Sequence, residues 1–393
     1  MKRPPSSIRV SGHLMATLAC LLLAAAGGRA DPTDQARRMH DRLVGVPPAQ
    51  QTLDEMVALM STDPVLAAER AMEEHAFYNV VLKNFVTPWT NVEQTVFAPL
   101  NDYTATVIGM IRDDADFREV LQADVVYVGD PSVSGVPYAH TDNAHYEALE
   151  ADRVDLGDPA QLVPVAQSSL PGSVLSSADT AGVITTRQAG MAFFSAGTNR
   201  RMWRFIGMNY LCRDLEELKD VSREADRIRQ DVTRSPGGDS ELFHSQCVGC
   251  HAGMDPLAGA FAYYQWDDTL GRTIFTPGFV QQKYLINSNA FPGGYITTDD
   301  RWDNFWRGGV NASFDWRGPI AGGFGPKSLG QEVAMSRAFS VCQVEKVFQE
   351  VCFRPPRDEG EVQVVRDIAD AFETDDYRMK TVFARVAVHC MGD

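Results

Sequence analysis

Apolar positions recur every three or four residues along much of this chain, the spacing of helices with one buried face. Residues 33–80 carry this rhythm, broken at Pro64, with Thr52-x-x-Glu55 as a helix start. A further helix follows from about 96, and then the short apolar run "DVVYVG" reads as a strand or extended segment. Residues 131–180 are rich in Ser, Pro, Gly, Asp and Ala, which predicts an irregular connection and a domain boundary. Helical periodicity returns from about 182. A polar segment and the turn "SPGGDS" lead into another helix, which Asp239 or Ser240 would cap. Residues 265–327 hold many Gly, Pro, Asn and Trp residues and little periodicity. Helices are expected over 328–352, opened by a Ser328-x-x-Gln331 capping box, and over 359–374 and 377–390. Val362, Val365, Ile368, Ala369 and Phe372 form one face of the middle one. The pattern predicts a mainly α protein.

The first thirty residues read differently. "MKRPPSSIR" is basic, Leu14 to Ala26 is an apolar run, and "GGRA" supplies small residues before Asp31. This is the layout of a secretory signal peptide cleaved after Ala30. The run is too short to span a membrane as a helix, and no second apolar span of membrane length follows. Cys20 lies inside the run, whereas a lipid-anchoring cysteine would end it. Removing Lys2, Arg3, Arg9 and Arg29 with the leader takes the formal charge from -16 to about -20. Such a surface repels nucleic acid and anionic lipid; it suits a basic partner, or simply keeps an exported protein in solution.

The chemistry concentrates in "FHSQCVGCHAGMDP", Phe243 to Pro256. In one helical turn Cys247 and Cys250 lie on the same side, where two thiols can add to the two vinyl groups of one porphyrin edge. His251 follows at once to present its imidazole to the iron. Cys-x-x-Cys-His is therefore a c-type haem attachment pattern. Two other readings compete. A zinc site could use His244, Cys247, Cys250 and a distant ligand, but leaves His251 unexplained. A redox dithiol wants the motif after a strand in a βαβ setting, and the lead-in "SELFHSQ" is helical and polar.

The residues around the motif resemble a family. "CVGCHAGMDPLAGAFAYYQWDDTLGR" is similar to the haem-binding signature of planctomycete-type cytochrome c modules. Cys247, Cys250, His251, Met254, Asp255, Pro256, Ala260, Phe261 and Arg272 stand in matching places. "TAGVITTRQAG" and the C-terminal helices resemble other parts of the same modules, so the likeness covers roughly 180–393. One departure is Gly259, which sits later after the proline than the pattern has it. The resemblance implies a secreted, electron-transferring module with one covalent haem c.

Across the iron from His251, Met335 is the first candidate ligand, with Met391, His389 and Met208 as weaker ones; each is also an ordinary core residue. Met254 is too near His251 to reach the opposite face, and packing at the haem edge is the expected role. Trp302, Trp306, Trp316, Tyr263, Tyr264 and Trp266 wall the haem pocket or pack in the core. Arg301 or Arg307 could pair with a propionate, a surface role being the plainer reading.

Cys212, Cys342, Cys352 and Cys390 remain. In an exported chain they suggest two disulfides, four buried free thiols being the alternative. Ten helical residues hold Cys342 and Cys352 about 15 Å apart, so each should bond Cys212 or Cys390 rather than the other.

The expected organisation is a signal peptide (1–30), an N-terminal helical domain (31–130), an irregular connection (131–180) and a helical, cytochrome-c-like haem domain (181–393). The expected function is an exported mono-haem cytochrome passing single electrons between periplasmic redox partners. A haem peroxidase or oxidase with an open distal iron site, and a secreted zinc-stabilised binding protein, are the alternatives.

Overall fold

The computed structural model describes residues 31–133, 135–195, 197–223, 240–285 and 294–392. The signal peptide, its cleavage point at Ala30, Cys20 and Asp239 lie outside the described residues. Helices dominate, with three short antiparallel strand pairs between them.

Asp31 accepts from the Thr33 N–H to cap α1 (Pro32–Val44), and Gly45, at φ 75°, ends it. Then come α2 (Gln50–Met60) and α3 (Pro64–Met72). Pro64 does break the rhythm, and it opens the new helix, with the Asp63 carboxylate accepting from the Val65 N–H. Thr52 is not the start of α2, which begins at Gln50; its hydroxyl instead donates to Glu74 at 3.0 Å and ties α2 to the end of α3. A π-turn (Phe77–Leu82), α4 (Lys83–Val86) and a 3-10 turn lead to α5 (Asp102–Arg112), whose eleven residues are all buried.

The 126–165 region differs from expectation. "VYVG" is a strand, β1 (Val126–Gly129), and it pairs with β2 (Leu162–Val165) inside the stretch expected to be irregular. The helix α6 (Ala144–Ala151) lies between them, and its His145 Nε2 accepts from the Gly129 N–H at 2.9 Å.

Next come α7 (Arg187–Phe193), α8 (Arg200–Ile206) and a π-turn (Gly207–Leu211). The motif segment holds α9 (Ser240–Leu242), a π-turn (Phe243–Cys247) and α10 (Val248–Ala258) in unbroken succession. The hairpin of β3 (Tyr264–Asp267) and β4 (Arg272–Phe275) and the pair β5 (Arg301–Asp303) and β6 (Gly322–Phe324) follow.

The last part is α11 (Gly325–Ala334), α12 (Arg337–Cys352), α13 (Glu359–Thr374) and α14 (Met379–Cys390). The single helix expected over 328–352 is two. Ser336 takes an extended backbone and its hydroxyl accepts from the Phe339 N–H, starting α12 afresh. Ser328 is no cap: α11 begins at Gly325, and the Ser328 hydroxyl donates to the Phe324 carbonyl and accepts from Trp302 Nε1. Within α13, Val365, Ile368, Ala369 and Phe372 are buried as expected, whereas Val362 is exposed.

Buried apolar residues from Ala36 to Cys390 form one contiguous cluster. The helices α1 and α3 pack against α14, and α12 packs against α13 and α14. Two disulfides lock this body: Cys212–Cys342 and Cys352–Cys390, with Cα atoms 5.2 and 5.5 Å apart. Cys342 and Cys352 do not bond each other, as their helical separation requires, and the four-free-thiol alternative is set aside. Among the described residues no helix is long and apolar enough to cross a membrane.

Candidate functional site on the Cys-x-x-Cys-His helix

The helix α10 lies close on its neighbours because Gly253 within it and Gly259 just past its end have no side chain. A Cβ on Gly253 would sit 1.7 Å from the Trp306 indole nitrogen, and Trp306 is itself buried, its ring tilted 50° to that of Trp203 with centroids 5.5 Å apart. A Cβ on Gly259 would sit 2.3 Å from the Arg301 carbonyl oxygen. The glycine that departs from the family pattern thus occupies the point where the end of the motif helix meets β5.

The helical period places Asp255 one turn beyond His251. Its two carboxylate oxygens lie 3.0 and 3.1 Å from His251 Nδ1. Asp255 is 2% exposed. From α8, Arg200 grips the same carboxylate in a fork, Nε to Oδ1 at 2.5 Å and Nη2 to Oδ2 at 3.0 Å, and its third nitrogen, Nη1, donates to the Thr198 hydroxyl. Burial alone would raise the Asp255 pKa, but Arg200 and His251 outweigh it and hold the carboxyl well below its usual range. An ionised carboxylate only accepts hydrogen bonds, so the ring proton of His251 resides on Nδ1. In the neutral form of the ring, Nε2 then carries the lone pair. This is the arrangement in which a buried carboxylate fixes the tautomer and orientation of a metal-binding imidazole.

Cys247 and Cys250 are free thiols, each half-buried. The Cys250 thiol donates to the Leu215 carbonyl at 3.5 Å, and burial pushes its pKa up. Beside this turn, Lys219 and the 73% exposed Val221 lie against Gly249, within 2.8 and 3.1 Å of where its Cβ would be. The chain next to Val221 is pinned to α10 by the Asp220 N–H donating to the Gly249 carbonyl at 3.0 Å.

The other expected residues fall as follows. Met254 is buried in the core. Met335 is half-buried at the elbow between α11 and α12, and α11 packs on the 3-10 turn (Gly259–Phe261) that ends the motif helix. Met208, half-buried, lies in the π-turn after α8. His389 lies in the C-terminal bundle, its ring 5.6 Å from Phe348, and Met391 follows α14 there. Trp302, Trp306, Trp316, Tyr264 and Trp266 are buried and Tyr263 is half-buried. Arg307 is not available for a propionate: its fork donates to the buried Glu332 at 2.8 and 2.7 Å, and Asn304 donates to the same carboxylate. Arg301 stays exposed and pairs with Asp303.

Among the described residues the motif follows α9 and a π-turn rather than a strand, and the sheets are two-stranded antiparallel pairs, with no βαβ unit. Among the same residues no three His, Cys, Asp or Glu side chains gather into a metal site. Sequence reasoning missed Arg200, fifty residues before the motif in "NRRMW", where nothing separates it from other surface arginines. No family model, curated protein or solved structure matches the chain.

Proposed function

We propose that the chain is an exported c-type cytochrome carrying one haem and passing single electrons between redox partner proteins. The observation that carries this reading is a helical turn offering two free thiols and, next to them, a histidine held by a buried carboxylate with Nε2 left to ligate. The donor set fits a haem. Cys247 and Cys250 would form the thioethers and His251 the iron bond. When bound, the haem would supply a one-electron couple.

The chain's own groups do the rest. Asp255 holds the Nδ1 proton and raises the basicity of Nε2, and Arg200 neutralises Asp255 so that the pair can remain buried. Val221, exposed beside Gly249, would offer apolar contact to a bound porphyrin. Met254 would pack at the haem edge, and Met335 is the first candidate for a second iron ligand. The two disulfides suit an oxidising compartment, the same side of the membrane on which such haems are attached.

An absorption spectrum of the exported protein tests the proposal. A sharp reduced band pair that carbon monoxide and cyanide do not shift supports the carrier. A high-spin spectrum that shifts with either ligand supports the peroxidase-like alternative. Absence of a Soret band, with one zinc per chain, rejects both haem readings. Met335→Ala should convert the spectrum to high spin; an unchanged spectrum rejects Met335 as the distal ligand.

A further inference from the structure

A second polar site lies where the N-terminal end of α7 meets β4 and the loops at 138–140 and 170–175. The cavity there has a volume of about 30 Å³. That admits more than one water but not a drug-sized molecule. Three polar side-chain atoms in its wall are buried and have no hydrogen-bond partner: Arg187 Nε, Thr273 Oγ1 and His140 Nε2. Buried polar atoms are paired in the great majority of cases, so three orphans around one cavity mark a missing occupant.

The charges say what kind. Two guanidinium groups, Arg187 and Arg272, line the cavity beside one carboxylate, Asp102. That carboxylate is already occupied. It accepts from the backbone N–H groups of Arg187, Gln188 and Tyr103 at 2.6, 3.0 and 2.9 Å, and from the Tyr138 hydroxyl at 3.3 Å. The Arg187 guanidinium lies over the Trp266 ring at 5.4 Å, and its charge also favours the Asp102 carboxylate. Arg272 gives one N–H to the Gly172 carbonyl at 2.9 Å. Burial and the neighbouring Arg272 press His140 down to about 4, so it adds a neutral nitrogen. The wall is net positive and presents unsatisfied N–H and O–H donors.

We propose that this cavity is a binding site for a small oxyanion of carboxylate or nitrate size, held by Arg187 and Thr273 with Arg272 as the second positive charge. Gly190 on α7 belongs to its construction: a Cβ there would sit 2.1 Å from Thr273 Oγ1, so only glycine leaves the hydroxyl in place. The site is separate from the Cys-x-x-Cys-His helix, and its occupancy does not depend on haem.

The test is titration of the purified full chain with formate and with nitrate, read by tryptophan fluorescence, since Trp266 stacks on Arg187, and by calorimetry. Saturable binding of at least one of them below about 10 mM is expected, weakened at least about tenfold by Arg187→Gln and several-fold by Thr273→Val. If the Arg187 variant does not fold, Arg272→Gln carries the same expectation. The proposal is overturned if neither anion binds saturably in that range, which leaves ordered water as the occupant. It is equally overturned if folded variants keep the parent affinity.

Discussion

Asp255→Asn separates the proposed role of the carboxylate from its shape, because the amide is nearly the same size and loses only the charge. Two effects follow, with different readouts. The first is on stability. Arg200 is 18% exposed and Asp255 2%. Removing one partner of a buried pair costs about 3–5 kcal/mol, and the lower end applies here because the amide oxygen can still accept one bond from the guanidinium. Denaturant unfolding should show a loss of about 3 kcal/mol. The second is on the haem. On the proposed function, the carboxylate would draw on the Nδ1 proton, enrich Nε2 and favour the oxidised iron. Second-shell partners of this kind carry about 10–100-fold, which for a one-electron couple is about 60–120 mV. The midpoint potential should therefore rise by that amount in Asp255→Asn, measured by spectroscopic redox titration. Arg200→Gln should move it the other way, because a carboxylate no longer shared with arginine pulls harder on the ring. A potential within about 10 mV of the parent in Asp255→Asn with an intact Soret band, or shifts of the same sign in both variants, refutes the relay.

Three further outcomes can be checked without haem chemistry. Gly253→Ala forces a methyl onto the buried Trp306 ring and should destabilise by about 1–3 kcal/mol in denaturant unfolding, with altered tryptophan emission. Replacing Cys352 and Cys390 together by serine opens a crosslink of sequence separation 38 and should lower unfolding free energy by about 4 kcal/mol on the chain-entropy account. Glu361 is lowered to about 2 by the Arg354 side chain first and by the Arg357 N–H after it. Its folded pKa lies below the unfolded value near 4.3, so its contribution is present above that value and lost as pH falls toward about 2. Thermal melts across this window should fall less steeply for Glu361→Gln than for the parent; parallel curves would remove Glu361 from the account.

The last two helices were legible because an amphipathic period and side-chain caps act over neighbouring residues: Asp358 caps α13, and Phe372 and Val365 share its buried face. Where burial is complete the period carries no information, and α5, buried on all sides, shows helix existence but no face. The break between α11 and α12 was hidden for another reason. Ala334, Met335 and Arg337 all favour helix, and the interruption comes from Ser336 as a cap and from its bridge to Trp316, twenty residues earlier. Four-residue strands such as β2 are too short to show alternation. In the candidate site the two thiols and the histidine were readable because they fall within five consecutive residues, whereas Asp255 stood out only as part of the family pattern and its hold on His251 emerges from the fold. The arginine that neutralises the aspartate was not readable, because only tertiary packing brings α8 onto α10.

That packing bears on why a chain of 393 residues surrounds one short motif. Arg200 is useful to His251 only if α8 cannot drift from α10, since a carboxylate at 2% exposure without its partner would be costly to bury. The helix α8 runs directly into the π-turn Gly207–Leu211, and the next residue, Cys212, is bonded to Cys342 on α12. On α12 rest α13 and α14, and against α14 rest α1 and α3, the first and third helices of the described chain. The position of one guanidinium is thus referred through a covalent bond to a bundle built from both ends of the protein. On the proposed function, this lets the ligand field at His251 be set by a rigid body rather than by the motif helix alone.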